Sequence, residues 1–355
     1  MNIKPTPKYY TSIGSLCDIF DREARQMPVQ TQSVDAYNTW KIAARAKLSD
    51  ILGLSLMQKC DLQPLLLSSK QIECDIIREK WLIQTEKDVW MPLYALIPPD
   101  ANEKTPCIIA AHGHVICGKL GTSGRREFAV VDRQIDVYNA DYGIKYARQG
   151  YTVFCPDARA FGERREITRQ GEREDFFICC TCEYLNNIAI AMGRSLTGFW
   201  TWDLMRLIDF IETRNDCDAS RIACLGLSGG GAQTLWISAM DDRIKCGITS
   251  GYFYGIKDSL LKLPNCSCNY IPGLWRELDM GDIAALIAPR SFLVETGSDD
   301  GLNGERGLAN VYEQVDIART AYDLFGAGDR LVHIVEEGGH KWFGNKSAGF
   351  IGQWL

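Results

Sequence analysis

Two different hydrophobic patterns divide the chain. Before residue 60, apolar side chains recur at helical spacing, and Ser33 can cap the helix that they predict. The apolar stripe of that helix consists of Tyr37, Trp40, Ala44, Leu48 and Ile51. A β-rich stretch follows, in which "IECDII", "KWLIQTE" and "VWMPLYALIPP" predict strands with a hairpin tip at residues 85–88. We therefore expect an N-terminal helical extension over residues 1–70, packed on the core of the domain that follows.

Beyond this hairpin, short apolar runs alternate with longer helical patterns. The apolar runs are "CIIAAH", "TVFCPD", "IACLGL", "KCGITS", "SFLVET" and "LVHIVE". Apolar strands that alternate with helices imply a mostly parallel sheet with helices on both faces. We expect an α/β domain over residues 71–355, with a mixed sheet of about eight strands, an antiparallel N-terminal hairpin and a loop and helix insertion at about 158–200.

The segment "RIACLGLSGGGAQTLW" places one serine among four glycines where a strand gives way to a helix. It contains a full G-x-S-x-G pattern, Gly226-Leu227-Ser228-Gly229-Gly230, which in this setting is typical of a nucleophile elbow. Small residues relieve crowding in such a tight turn, and the helix N-terminus behind the serine favours developing negative charge. Ser228 is therefore the candidate nucleophile. The alternative is a glycine-rich turn with a solvated serine.

A serine nucleophile needs a base to accept its proton and an acid to orient that base. The expected chain order is serine, acid, histidine, and of the four histidines only His333 and His340 follow Ser228. His333 lies inside a strand, where a structural imidazole is expected, whereas His340 follows that strand in the glycine-flanked loop "EEGGHKWFG". We predict that His340 is the base. The acid is expected at or after the end of the preceding strand, "SFLVET", where the candidates are Glu295, Asp299 and Asp300.

An oxyanion hole needs two backbone amides, and two loops are placed to supply them. One amide is that of Gly229, the residue after the nucleophile; the other is expected from His114, by analogy with histidine-glycine loops. The same loop fits G-x4-G-K from Gly113 to Lys119, but Leu120 stands where a P-loop has its magnesium-binding Ser or Thr. Nucleotide binding is therefore the weaker alternative, and we expect no metal or organic cofactor.

Composition and charge narrow the classes of partner. The net charge of −6 gives no electrostatic basis for binding nucleic acid or an anionic membrane surface. No apolar run approaches the roughly 20 residues of a transmembrane helix, and the start "MNIKPTPKYY" lacks the apolar core of a signal peptide. We therefore expect a cytoplasmic protein without nucleic-acid or membrane partners. The sequence carries no signal for the oligomeric state.

Many of the 14 cysteines lie inside apolar, strand-like runs, as core thiols do; examples are Cys107, Cys155, Cys224 and Cys246. The clusters "CCTC" (179–182) and "CSC" (266–268) are the candidates for metal binding. Only Cys179 with Cys182 fits the usual C-x2-C spacing of zinc ligands. We expect free thiols in a reducing compartment rather than disulfides or a metal site.

Several stretches are informative as a set: "AAHGH", "YARQGYTVFCPDARAFGER", "GRSLTGFWTWDLMRLIDFIETR", the serine segment and "DIAALIAPRSFLVETGSDDG". Together, over roughly residues 35–345, they resemble α/β-hydrolases of the acetyl-xylan-esterase-like and dienelactone-hydrolase-like branch. The resemblance implies an α/β-hydrolase fold, with Ser228 as nucleophile, His340 as base and an aspartate of "GSDDG" as acid. Asp300 matches the position of the family's aspartate and precedes a glycine, so we favour it over Asp299.

The substrate side of the site has weaker signals. In the insertion, Arg159, Arg164 and Arg165 would suit an anionic substrate, and the alternative is a solvated charged surface balanced by nearby glutamates. Four aromatic residues are predicted to line the acyl or alcohol side, with ordinary packing as the alternative: Tyr252, Tyr254, Tyr270 and Trp275. Trp200 and Trp202 lie in an amphipathic helix and are expected in the core.

These observations predict a serine carboxylic-ester hydrolase whose partner is a small-molecule, acetyl-like ester, with esters of carbohydrates among the candidates. Glucuronoyl esterases in the same branch carry an arginine and a lysine just after the nucleophile, where Gly229 and Ala232 stand here. Two alternatives stay open. One is a thioesterase or peptidase that uses the same triad, and the other is a non-catalytic binding protein on a hydrolase scaffold.

Overall fold

The strands of the computed structural model, which describes residues 9–166, 171 and 173–355, form a single mixed sheet. Within these residues the strands are β1 (Leu65–Gln71), β2 (Ile77–Glu86), β3 (Val89–Ile97), β4 (Pro106–Ala111), β5 (Thr152–Pro156), β6 (Asp218–Leu227), β7 (Ile244–Ser250), β8 (Ser291–Gly297) and β9 (Leu331–Glu336). Their order across the sheet is β1-β2-β3-β5-β4-β6-β7-β8-β9. The first three pair antiparallel, and β3 joins β5 antiparallel. The remaining part of the sheet, β5-β4-β6-β7-β8-β9, consists of six parallel strands.

Twelve α-helices connect or flank these strands in the described residues. They are α1 (Ile13–Glu23), α2 (Val34–Leu52), α3 (Lys119–Thr122), α4 (Ala129–Tyr138), α5 (Tyr142–Ala147), α6 (Cys182–Ala191), α7 (Leu196–Ile211), α8 (Gly229–Met240), α9 (Leu274–Glu277), α10 (Met280–Ala285), α11 (Leu308–Leu324) and α12 (Ser347–Trp354). None of them is long and apolar enough to cross a membrane.

The predicted α/β class and the antiparallel N-terminal hairpin are confirmed. All six apolar runs predicted as strands form the parallel part of the sheet, and the β2–β3 hairpin turns within residues 85–88. The strand predicted at "IECDII" is wrong, because Glu73–Asp75 forms a 3-10 turn in which Cys74 and Asp75 have positive φ angles. The edge strand β1 lies before it, so the expected boundary at residue 70 falls inside a strand.

Local signals explain where the predicted N-terminal helix begins and ends. The hydroxyl of Ser33 accepts the N–H of Ala36 at 3.1 Å, which caps α2, and Gly53 ends the helix with a φ of 78°. The buried face of α2 includes Tyr37 and Trp40, and both pack into the core that α8, α10 and α11 share with the sheet. The extension is therefore part of the hydrophobic core.

Helices cover both faces of the sheet. The core on one face includes residues of α4, α5 and α12, and the core on the other includes residues of α2, α7, α8, α10 and α11. Trp200 and Trp202 are buried on α7, as expected. Because both faces are covered, the loops at the carboxyl ends of the parallel strands are left to carry chemistry. The loops after β4, β6, β8 and β9 hold the predicted oxyanion-hole and catalytic residues.

Candidate active site

Ser228 lies between the end of β6 and the start of α8. Its backbone conformation is one that residues other than glycine rarely adopt. Its φ and ψ angles are 59° and −119°. A strained backbone of this kind costs about 1–3 kcal/mol and persists only where the surrounding structure imposes it. The N–H of Ser228 donates to the carbonyl of Ser250 at 2.8 Å, which fixes the turn against the end of β7. This is the geometry of a nucleophile elbow.

The two outer glycines of the G-x-S-x-G pattern are required by close backbone approach. A Cβ on Gly226 would lie 2.4 Å from the carbonyl oxygen of Ala111, and one on Gly230 would lie 2.1 Å from the same atom. Both distances are far inside van der Waals contact, so the tight packing of β6 and α8 against β4 tolerates no side chain at these positions. The sequence pattern thus follows from the packing of the turn.

The loops after β8 and β9 bring a carboxylate to the candidate base. Asp300 Oδ2 lies 2.6 Å from Nδ1 of His340. The other carboxylate oxygen of Asp300 accepts the N–H of Leu302 at 2.9 Å. Asp300 is almost fully buried, whereas 27% of the His340 side chain is exposed. With Nδ1 held by the carboxylate, the proton of a neutral imidazole belongs on Nδ1 and Nε2 is left to accept one.

The His340 ring lies beside the elbow. A Cβ on Gly251 would fall 2.9 Å from Cε1 of His340 and 3.3 Å from Leu227, the residue before Ser228. Gly251 also has a φ of 59°, so a larger residue there would be both strained and in collision with the imidazole. The glycine that follows β7 therefore leaves room for the histidine next to the predicted nucleophile.

The three candidate acids occupy three different environments. Asp299 is exposed, and Asp300 hydrogen-bonds to His340. Glu295 is buried in β8 and accepts the hydroxyl of Ser250 at 2.8 Å and the N–H of Phe343 at 2.9 Å. Burial raises the pKa of Glu295, against the effect of these hydrogen bonds. The geometry favours Asp300 as the partner of His340.

Glu295 has a part in the site that the sequence did not indicate. Its second carboxylate oxygen accepts the N–H of Gly344 at 2.8 Å, so the side chain fastens the loop that carries His340 to β7 and β8. The backbone carbonyl of Glu295 also accepts the N–H of Gly251 at 3.0 Å. A charged residue inside an otherwise apolar strand was the signal that could have pointed to this anchoring contact.

The predicted oxyanion loop lies directly against the elbow. A Cβ on Gly113 would lie 2.4 Å from the carbonyl oxygen of Leu227 and 3.0 Å from the amide nitrogen of Gly229. Within the described residues, the amides of His114 and Gly229 donate to no protein acceptor. Both predicted donors are therefore in neighbouring backbone with free N–H groups, as an oxyanion hole requires.

The remaining two histidines are structural. His112 is buried and its Nε2 accepts the N–H of Ala158 at 3.0 Å, so its Nδ1 carries the proton and donates to the carbonyl of Gly113 at 3.1 Å. His333 lies on β9 with its Nε2 3.1 Å from the hydroxyl of Thr296, and burial lowers the pKa of its imidazole to about 4. Neither side chain competes with His340 for the role of base.

Lys119, the lysine of the P-loop-like pattern, is held by carboxylates inside the protein. Its ammonium lies 2.5 Å from Asp157 Oδ2 and also pairs with Glu163. Burial opposes ionisation of Asp157, but the lysine outweighs it and lowers the pKa of the carboxyl. The ammonium is therefore neutralised within the protein, and the geometry gives the nucleotide alternative no support.

Arg159 and Arg164 do not form the solvated surface that the sequence left as an alternative. Arg159 donates to both oxygens of Asp203, at 3.0 and 2.9 Å, and Arg164 donates to the same carboxylate at 2.7 Å. All three side chains are at most 10% exposed. Burial alone would raise the pKa of Asp203, but the two guanidinium groups lower it to about 2. Arg159 and Arg164 thus bind the insertion to α7.

Arg165 lies in a different setting. It lines a cavity of about 660 Å³ together with Lys119, Glu163 and Phe177, and its guanidinium donates to the carbonyl of Phe176. Recognition of an anionic substrate by Arg165 stays a prediction.

The four aromatic residues predicted to line the substrate divide into two pairs. Tyr252 and Tyr254 are 5% and 2% exposed and belong to the hydrophobic core. Their surroundings agree with the alternative interpretation, ordinary packing. Tyr270 and Trp275 have their rings 5.6 Å apart and border an apolar cavity of about 450 Å³ beside α1. A substrate-binding role for Tyr270 and Trp275 stays a prediction.

Comparison with known proteins identifies the family of the chain. A model of the Abhydrolase family matches residues 22–329. The chain belongs to the Abhydrolase family. This chain is also similar to "Putative hydrolase YtaP" of Bacillus subtilis (strain 168), which is 24% identical over 273 residues that cover 74% of this chain and 83% of that protein.

Two solved structures have the same fold as this chain. A protein described as a putative acetyl xylan esterase from Bacteroides fragilis NCTC 9343 superimposes with a TM-score of 0.73, at 17% identity over 93% of this chain and 83% of that one. A glucuronoyl esterase from Teredinibacter turnerae T7901 gives a TM-score of 0.64, at 17% identity over 94% of this chain and 91% of that one. The predicted α/β-hydrolase fold is thereby confirmed.

Proposed function

We propose that the protein is a serine carboxylic-ester hydrolase for small acyl esters, with Ser228 as nucleophile, His340 as general base and Asp300 as the acid that orients it. The observation that carries the proposal is the hydrogen bond of 2.6 Å between Asp300 and His340, beside a serine held in a strained elbow. These groups come from three separate loops at one edge of the sheet. A binding scaffold would have no need of this arrangement.

The first half of the reaction forms an acyl-enzyme. Ser228 Oγ attacks the ester carbonyl carbon while Nε2 of His340 accepts the hydroxyl proton, and Asp300 stabilises the resulting imidazolium. The N–H groups of Gly229 and His114 donate to the oxyanion of the tetrahedral intermediate. When the intermediate collapses, the alcohol leaves with the proton from His340 and the acyl group stays on Ser228.

The second half repeats these steps with water. His340 removes a proton from a water molecule, whose oxygen attacks the acyl carbonyl and forms a second oxyanion in the same pair of amides. Collapse of this intermediate breaks the bond to Ser228 Oγ, and His340 returns the proton to the serine. The carboxylic acid leaves, and the enzyme is ready for the next ester.

Short acyl groups and carbohydrate alcohols are the proposed substrate class. Two structures of the same fold are described as a "putative acetyl xylan esterase" and a glucuronoyl esterase, which supports an ester of a sugar. Gly229 and Ala232 stand where the glucuronoyl esterases carry basic residues, so we favour an uncharged acetyl-like group over a uronic acid ester. The preference rests on these positions in the first turn of α8.

A fluorophosphonate probe tests the nucleophile. We expect the wild-type protein to be labelled once and labelling to be lost in Ser228→Ala. Ser220→Ala is the matched control, because Ser220 lies near the opposite end of the same strand, β6, and should leave labelling unchanged. An unlabelled wild-type protein would support a non-catalytic binding protein instead.

A substrate panel tests the reaction class. We expect p-nitrophenyl acetate and acetylated xylo-oligosaccharides to be cleaved far faster than a decanoyl ester, an anilide or an acyl thioester. Faster cleavage of the anilide or thioester would favour the peptidase or thioesterase alternative, and a preference for the decanoyl ester would contradict the proposed small acyl group.

A further inference from the structure

Next to the elbow, the side chain of His114 meets three cysteines that come from two distant parts of the chain. The ligand atoms of His114, Cys182, Cys266 and Cys268 all lie within 4.8 Å of one another. Nε2 of His114 is 3.6 Å from Sγ of Cys268 and 3.9 Å from Sγ of Cys182. The three thiols are free, so the group consists of one imidazole nitrogen and three sulfur atoms.

The two nitrogen–sulfur distances are close to the edge length of a zinc tetrahedron, and the 4.8 Å limit on the others allows a small contraction onto an ion. Bond lengths of about 2.3 Å to sulfur and about 2.0–2.1 Å to nitrogen place tetrahedral ligands about 3.8 Å apart for two sulfurs and about 3.6 Å apart for sulfur and nitrogen. A disulfide would instead bring two sulfurs to about 2.0 Å. One imidazole with three thiolates is also a common ligand set of structural zinc sites.

Hydrogen bonds anchor the segments that carry these side chains, and Cys182 and Cys268 are buried. Cys182 is the first residue of α6, whereas Cys266 directly precedes a 3-10 turn at Ser267–Asn269 and Cys268 lies within that turn. The amide of Asn186, on α6, donates to the carbonyl of Ser267 at 2.6 Å, and the hydroxyl of Thr197 donates to that of Cys268 at 2.7 Å. Hydrogen bonds therefore hold the cysteine-bearing segments in place without a metal.

We propose that His114, Cys182, Cys266 and Cys268 bind one zinc ion as a closed tetrahedral site. Binding releases the three thiol protons to solvent, and neutral His114 coordinates through Nε2 and keeps its proton on Nδ1. Four protein ligands leave no open position, so the ion is structural. The proposal departs from the expectation of no metal. That expectation considered the C-x2-C pair Cys179 and Cys182, whereas the structure brings Cys182 together with His114, Cys266 and Cys268.

The site would connect the insertion to the predicted oxyanion loop. A Cβ on Gly229 would lie 3.1 Å from Nδ1 of His114. The His114 ring would therefore bind zinc through Nε2 while its Nδ1 side packs against the elbow. A fixed ring also fixes the backbone of residue 114, whose N–H is a proposed oxyanion donor. This consequence rests on the proposed function, whereas zinc binding itself does not.

Two neighbouring cysteines delimit the site. Cys179 places its Sγ 3.4 Å from the carbonyl oxygen of Asp175 and is outside the group of four. Cys180 is not one of the four mutually close ligands, but its thiol contacts those of Cys182 and Cys266, so it is unsuitable as a control. Cys179 therefore serves as a control that shares the segment, but not the cluster, with Cys182.

Metal analysis of the untagged protein, purified under reductant and without chelator, tests the proposal. We expect about one zinc ion per chain, as for a closed site. Cys268→Ser and Cys182→Ser should retain less than about a tenth of it, while Cys179→Ser should retain all of it. Reconstitution of the wild-type protein with cobalt should give the intense visible bands of a tetrahedral site and a thiolate charge-transfer band, a readout that does not depend on whether a variant folds.

Specific results would overturn the site. A wild-type protein that carries no zinc, and that fails to retain it on desalting after incubation with zinc under reductant, contradicts it. An intact mass that is lower than the sequence mass by two hydrogen atoms, which indicates a disulfide between these cysteines, contradicts it as well. Zinc without probe labelling would support the site and contradict the proposed esterase, and labelling without zinc would do the reverse.

Discussion

Asp300 and His340, forty residues apart in the chain, meet at 2.6 Å through the carboxylate and Nδ1 of the imidazole. The contact is possible because β8 and β9 are parallel neighbours whose carboxyl ends lie side by side. Asp299 is the adjacent residue, yet its side chain is exposed. The two aspartates therefore give a matched pair for testing what the contact does.

Asp300→Asn should lower kcat for p-nitrophenyl acetate by about 10³–10⁴-fold, because the amide favours the wrong tautomer of His340 and cannot stabilise the imidazolium. KM and the melting temperature should change little. Asp299→Asn should cost less than about tenfold, as expected of a nearby exposed charge. Steady-state kinetics of both variants decide the matter, and a reversed order would move the assignment to Asp299.

Gly113→Ala should lower kcat by about 10²–10³-fold, the usual effect of losing one oxyanion donor. The new methyl group would collide with the carbonyl of Leu227 at 2.4 Å, so the loop that carries His114 must move away from the elbow. Gly301→Ala is the control, since a methyl group there meets open space although it is next to Asp300. Equal activity of both variants would show that this loop has no catalytic role.

Asp203→Asn should lower the free energy of unfolding by about 3–5 kcal/mol, because it leaves the guanidinium groups of Arg159 and Arg164 buried without their shared carboxylate. Urea unfolding of the variant and the wild-type protein measures the difference. Asp175→Asn, in the same insertion but exposed, should change stability by less than about 0.5 kcal/mol. A small effect at Asp203 would mean that the two arginines find other partners.

Acid should destabilise the protein partly through His333. Its imidazole has a pKa of about 4 when folded against an ordinary value of 6.5, so the unfolded state binds the proton more readily. Its contribution to stability is present above pH 6.5 and is lost as the pH falls towards 4. Between these values the wild-type protein should lose about 3 kcal/mol more than His333→Gln does. Parallel losses in the two proteins would contradict the lowered pKa.

All 14 cysteines should titrate as free thiols when the protein is denatured in chelator without reductant. Eight of them are buried; the examples Cys107, Cys155, Cys224 and Cys246 lie on strands of the sheet. A thiol reagent measures the number. Oxidised pairs would contradict both this count and the expected cytoplasmic location, which stays a prediction.

Features that depend on neighbours in the chain could be predicted from the sequence. The run from β6 into α8 and the glycines around Ser228 are local, because strand periodicity and the sterics of a tight turn act over a few residues. The six parallel strands and the hairpin were predictable for the same reason. The error at "IECDII" arose where an apolar run coincides with two positive φ angles, which alternating hydrophobicity does not encode.

Tertiary structure alone decided which distant residues meet. The sequence offered three acids for His340, and the adjacency of β8 and β9 placed Asp300 against the ring and Glu295 behind the loop. It offered Cys179 with Cys182 as a metal pair, but the loop after β4 and the turn at 266–268 bring His114 and Cys268 to Cys182 instead. Such contacts depend on strand order and on how an insertion packs back over the sheet edge, and no local periodicity specifies either.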